Sequence, residues 1–223
     1  MLRLSATNLE NYRHYIQGMP WMDTDALIAS ITDKTVPTPE MELGSAFHEV
    51  FADPDSHLIQ DRHSAAVYRT ESHDFDAERV DTALDDIWQC APVYELKTED
   101  LVFQTERGPA RLVCVADALV GLKCYELKTT KKIDGSPRWL ERYTSSMQWR
   151  AYALAFGAHQ VSYRVVKLEQ IESGIWTVAD CESIDCPRYV GIERDVQEAV
   201  EGLTAFIYHY DLEPFKLEPI NLM

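Results

Sequence analysis

The chain has 223 residues, a formal net charge of −16, and hydrophobic and charged fractions of 46% and 26%. That length suits one substantial domain over 1–223 and leaves no room for two full ones. No apolar run approaches the length of a membrane span, and MLRLSATNLE lacks the apolar stretch of a signal peptide, so a cytoplasmic protein away from membranes is expected. Cys90, Cys114, Cys124, Cys181 and Cys186 are odd in number and widely spaced, which argues against a disulfide framework.

In chain order, Thr7-Asn8-Leu9-Glu10 reads as a capping box opening a helix to about Ile16. Thr38 and Pro39 suit the cap and first position of a second helix, in which Leu43, Phe47, Val50 and Phe51 recur at helical spacing. Residues 76–90 read as an amphipathic helix with Val80, Leu84, Ile87 and Trp88 inward. The texture then changes: VYELKTEDLVFQTE, ARLVCVADALV and LKCYELKTT are strand-like and predict a run of antiparallel strands. One helix is expected near 139–156, strands near 161–168 and 174–180, and a last helix near 194–210. The parts are a mainly helical 1–90, a sheet-bearing 91–180, and a C-terminal helix and tail over 181–223, giving a mixed α/β (α+β) fold.

Charge is unevenly spread. Between Lys123 and Arg150 there are seven Lys or Arg against three acids, a local +4, so the remainder carries −20. A basic island in an acidic body can bind a polyanion locally while the exterior repels it elsewhere; a solvated basic loop is the alternative on charge alone.

The segment YELKT occurs twice, at 94–98 and 125–129, each with an aspartate nine residues before its glutamate. The first aspartate, Asp86, falls inside the predicted 76–90 helix, and nothing local brings it to Glu95; Glu95 and Lys97 read as an ordinary pair on a strand. The second copy differs. Gly121-Leu122 fits a two-residue hairpin turn of type II′, so paired residues sum to 243 and Asp117 falls opposite Glu126, with Cβ atoms about 5 Å apart. Two facing carboxylates are destabilising without a cation between them. Glu126 and Lys128 share a strand face, so two hard oxygen ligands suited to Mg²⁺ or Mn²⁺ stand beside an ammonium.

Asp117 followed by Glu126-Leu127-Lys128 resembles the PD-(D/E)xK nuclease core, with Ala116 where the usual proline stands. Leu43-Gly44-Ser45-Ala46-Phe47-His48 resembles the histidine-bearing helix of its RecB-type branch, and Gln148-Trp149-Arg150-Ala151-Tyr152 resembles its Q-x-x-x-Y helix. Within that branch, LGSAFHEVF, VADALVGLKCYELKTT and MQWRAYALAFGA are most similar to the RecE and lambda-type phage recombination exonucleases. The resemblance implies a restriction-endonuclease-like core, a central mixed sheet flanked by helices. It implies Mg²⁺, with Mn²⁺ as a substitute, held by His48, Asp117, Glu126 and the Leu127 carbonyl. Lys128 would act at the attacking water and phosphorus, with Gln148 and Tyr152 positioning it and touching DNA. Lys131, Arg138, Arg142 and Arg150 are the candidate phosphate contacts. The cysteine pattern of the iron–sulfur members is missing, so no cluster is expected.

The expected activity is degradation of linear double-stranded DNA from an end, exposing single strands for recombination. The expected partners are duplex ends, a single-strand annealing protein, and copies of the chain in a trimeric or tetrameric ring, in a bacterial host's cytoplasm. The alternatives are another RecB-branch nuclease, of CRISPR-adaptation or single-strand-trimming type, and a catalytically silent DNA-binding module of the same fold.

Overall fold

The computed structural model describes residues 1–60, 65–171 and 174–213; the tail expected after the last helix, 214–223, lies outside them. The N-terminal part contains β1 (Leu2–Ser5), α1 (Ala6–Ile16), α2 (Thr24–Ile31), α3 (Pro39–Ala52), α4 (Pro54–His57), β2 (Leu58–Ile59), β3 (Val67–Arg69), β4 (Asp74–Asp76) and α5 (Ala77–Trp88). Three long strands follow, β5 (Val93–Thr105), β6 (Gly108–Val120) and β7 (Lys123–Thr130), then α6 (Pro137–Thr144), α7 (Met147–Ala155), β8 (Gln160–Gln170), β9 (Trp176–Pro187) and α8 (Ile192–His209). Strands of two to four residues, as in β1 to β4, carry too little alternation to be read from sequence.

Local chemistry explains several boundaries. Thr38 accepts the Met41 N–H at 3.3 Å and Pro39 takes the first turn of α3, as expected. The first capping box starts earlier than expected: Ser5 is the cap of α1 and exchanges hydrogen bonds with Asn8, leaving the Glu10 carboxylate for another task. The single helix expected near 139–156 is two, because Ser146 caps a new helix by accepting the Gln148 N–H.

Among the described residues the strands form one sheet in the order β1-β6-β7-β8-β9-β4-β3-β2, with β5 on the other edge of β6. The expected antiparallel run holds for β5, β6 and β7, but β1 with β6, β4 with β9, and β7 with β8 are parallel, making the sheet mixed. A parallel pair needs a crossover, and α6 and α7 supply it between β7 and β8. One face carries a cluster containing Leu9, Leu27, Trp149, Tyr152, Val200 and Leu203, from α1, α2, α7 and α8. The other carries Phe47, Phe51, Val80 and Leu84, from α3 and α5, against Ala118, Leu127 and Val166. No helix among the described residues is long and apolar enough to cross a membrane.

Candidate active site

The site forms where β6 and β7 part. The pairs Val120–Lys123, Leu119–Cys124 and Ala118–Tyr125 have the register predicted from the Gly121 turn, where Gly121 takes φ 56°. Beyond Ala118–Tyr125 the ladder stops, and the Asp117 side chain replaces a main-chain acceptor: its Oδ2 accepts the Leu127 N–H at 2.7 Å. Period-2 alternation sends Leu127 into the α3/α5 cluster and Glu126 toward α1 and α7.

His48, on α3, reaches the site from its other side, with Nδ1 3.5 Å from Asp117 Oδ1. The Gly44 Cα, one turn earlier, lies close enough to β7 that a Cβ there would stand 3.1 Å from Thr129 Oγ1. The missing side chain thus lets α3 seat against the strand bearing Glu126. Burial works against protonated His48, yet the hydrogen bond and charge of Asp117 raise its pKa overall; burial works against ionised Asp117, yet His48, Lys128 and the Leu127 N–H lower its pKa overall.

Glu126 is 3% exposed, and burial pushes its carboxyl up to about 7 despite the nearby Lys128. Its Oε1 accepts from Lys128 Nζ at 2.5 Å, while Oε2 is buried with no hydrogen-bond partner. A buried carboxylate oxygen without a donor is costly unless something outside the chain completes it. Lys128 is raised: burial opposes its charge, but Glu126 and Asp117 outweigh it. The ammonium therefore stays protonated, a donor and fixed positive charge.

Lys128 opens on a cavity of about 320 Å³ lined also by Glu10, Arg142, Gln148 and Tyr163. Gln148 and Tyr152 are bonded to each other along α7, Nε2 to the phenol oxygen at 2.9 Å. The helix is held at its start by Glu10, which the sequence pattern assigns to the capping box expected at the start of α1. Glu10 Oε2 accepts from Met147 N at 2.7 Å and Ser146 Oγ at 2.9 Å, and its other contacts are Arg13 and His14. The Ser145-Ser146 pair was the only local sign of that break.

The remaining candidates separate. Arg138 and Arg142 are exposed on α6 without a hydrogen bond or ion pair among the described residues. Lys131 pairs with Glu40 at 2.7 Å. Arg150 is committed internally, to Tyr189 Oη, the Ser145 and Ser146 carbonyls, and the Trp149 ring face.

The first YELKT also reaches this region. Tyr94 and Leu96 pair with Ala118 and Ala116, so Glu95 holds the register position opposite Asp117 on the side away from β7. Glu95 is exposed and takes φ 47°, and Lys97 pairs with Glu99 at 2.5 Å rather than with Glu95 as expected. Asp86 pairs with Arg164, outside the site.

Two carboxylates, an imidazole and the Leu127 carbonyl are donors that suit a hard divalent cation, and the orphaned Glu126 Oε2 fits the same ion. Among the described residues no three His, Cys, Asp or Glu side chains already converge on one point.

No protein-family profile and no characterised protein matches the sequence. Among solved structures the chain is similar to SSO0001 (14% identity over 92% of this chain and 76% of that one, TM-score 0.49). It is also similar to an alkaline exonuclease of Laribacter hongkongensis (13%, 95% and 93%, TM-score 0.43) and a phage-related exonuclease of Haemophilus somnus (10%, 96% and 96%, TM-score 0.41). These values describe a loose likeness, and the chemistry of the site rests on its residues.

Proposed function

We propose that this chain is a divalent-metal-dependent deoxyribonuclease. The observation that supports it is the buried, unpartnered Glu126 Oε2 beside Asp117, with the Lys128 ammonium at the mouth of a cavity lined by Gln148 and Arg142. Asp117, Glu126, the Leu127 carbonyl and His48 would hold the metal, Mg²⁺ with Mn²⁺ as a substitute. When bound, such an ion acidifies water and offsets charge on a phosphodiester. Lys128, kept charged, donates to a water or a phosphoryl oxygen and opposes the negative charge that builds at phosphorus. Gln148 lines the cavity with Lys128 and is bonded to the buried Tyr152 behind it, and Glu10 fixes the helix that carries both. Arg138 and Arg142 are the phosphate contacts best placed to act; Lys131 would first leave Glu40.

The finer reading is an exonuclease acting on linear duplex from an end, supplying single strands to an annealing protein in recombination. A homo-oligomeric ring with a basic lumen would reconcile the local +4 with the acidic remainder. The test is incubation of the purified protein with linear duplex, covalently closed duplex and single-stranded DNA, with and without Mg²⁺. Mg²⁺-dependent loss of linear duplex alone supports the whole reading. Nicking of closed circles by a monomer leaves the metal site and overturns the ring and the exonuclease. Binding of DNA without hydrolysis identifies a silent module.

A further inference from the structure

The cavity beside Lys128 continues beyond it. His14, Trp21 and Arg142 line it and also line a second cavity of about 530 Å³, which runs between the C-terminal end of α1, the Met19–Trp21 segment and α6. Trp21 is 55% exposed, and among the described residues its one ring contact is edge-on to His14 at 5.9 Å, so most of the indole surface faces outward. Arg138 and Arg142 lie one turn apart on α6 and line the same groove. In a chain with 37 acids against 21 Lys and Arg, most described cations find a carboxylate; these two do not. Of the two carboxylates lining the groove among the described residues, Asp134 is occupied by the Ser136 N–H and Lys132, and Glu141 makes no ion pair with Arg138 or Arg142.

An open aromatic face, two unpaired guanidinium groups and a direct path to Lys128 are the parts of a single-strand subsite: a stacking platform, a phosphate clamp and the reacting centre. We propose that this groove binds the nucleotide adjoining the reacting phosphate, with Trp21 stacking on its base and Arg138 and Arg142 holding its phosphate. The choice of phosphate rests on the nuclease reading; the binding itself does not. Every base has a π-face, so the subsite should accept purines and pyrimidines alike.

The experiment uses the full chain in EDTA and measures binding of thymidine 5′-monophosphate, deoxyribose 5-phosphate and thymidine by calorimetry. Thymidine 5′-monophosphate should bind about tenfold more tightly than deoxyribose 5-phosphate. Trp21→Ala should abolish that difference and Trp21→Phe should keep most of it. Arg138→Ala with Arg142→Ala should bring the nucleotide down to the level of thymidine. Equal binding of the nucleotide and the sugar phosphate by the unaltered protein, or a difference that survives Trp21→Ala, overturns the subsite. So does Trp21→Ala that changes self-association and not nucleotide binding. Hydrolysis of linear duplex is measured alongside: hydrolysis without base-dependent binding removes the subsite alone, and base-dependent binding without hydrolysis removes the nuclease alone.

Discussion

Asp117 Oδ2 accepts the Leu127 N–H at 2.7 Å, so the side chain of one candidate metal ligand holds the backbone of the other strand in place. This separates two roles that substitutions can distinguish. Asp117→Asn keeps an acceptor and should unfold within about a degree of the unaltered protein, while Asp117→Ala leaves the Leu127 N–H without its acceptor and should lose roughly 1–3 kcal/mol, about several degrees. Both should abolish DNA hydrolysis. Thermal unfolding beside a linear-duplex assay checks the pair, and full activity in Asp117→Asn would remove the carboxylate from the mechanism.

Glu126 gives a pH signature in metal-free protein. Its folded pKa is raised from 4.5 to about 7, so its stabilising contribution is present below about pH 4.5 and disappears as pH rises toward 7. Glu126→Gln removes that loss. Its unfolding temperature should therefore exceed that of the unaltered protein by a margin that widens between pH 4.5 and 7, by up to about ten degrees. Mg²⁺ should narrow the margin. A gap flat with pH would contradict the burial of an ionising group.

Lys128→Ala should lower kcat by roughly a hundredfold or more with little change in DNA affinity, because one ammonium adds little to many phosphate contacts but acts at the reacting centre. His48→Ala should instead weaken metal binding, with raised Mn²⁺ restoring part of the activity. Calorimetry showing unchanged metal affinity would take His48 out of the site.

Glu10 behaves oppositely to Glu126. Burial would raise its pKa, but hydrogen bonds from His14 and Arg13 and their charges hold it down to about 2. Its contribution is therefore complete above its unfolded pKa near 4.5 and is lost as pH falls toward 2. Glu10→Gln should cost on the order of 1–3 kcal/mol at neutral pH, flatten the acid limb of the stability profile, and lower kcat by loosening α7. An unchanged acid limb would show that the Met147 and Ser146 contacts carry little.

Glu95 tests the choice between the two YELKT copies. Its φ of 47° is a conformation that glycine adopts at lower cost, so Glu95→Gly should stabilise the fold by up to about 1 kcal/mol and leave hydrolysis intact. Glu126→Ala should eliminate hydrolysis. The reverse outcome would move the active site to the first copy.

Much of the candidate site is legible because its spacing is local. A two-residue turn at Gly121 determines the register from Val120–Lys123 to Ala118–Tyr125, which follows from the sequence alone, but the ladder ends before the expected Asp117–Glu126 pair and Asp117 bonds the Leu127 N–H instead. Gln148 and Tyr152 meet because residues four apart share a helix face, and Thr38 with Pro39 starts α3 by chemistry confined to one turn. What lay beyond reach joins distant segments. The resemblance sets His48 with Asp117 but no local pattern does, and it stands there because Gly44 lets α3 sit on β7; Glu10 bonds Met147 across 137 positions because α1 packs on α7. Arg150 reads as a phosphate contact until Tyr189 and the end of α6 claim its guanidinium. Periodicity and turn chemistry act within a few residues, and these encode the strands and their register; which distant side chain meets a given charge depends on how helices pack on the sheet, and that only the tertiary structure decided.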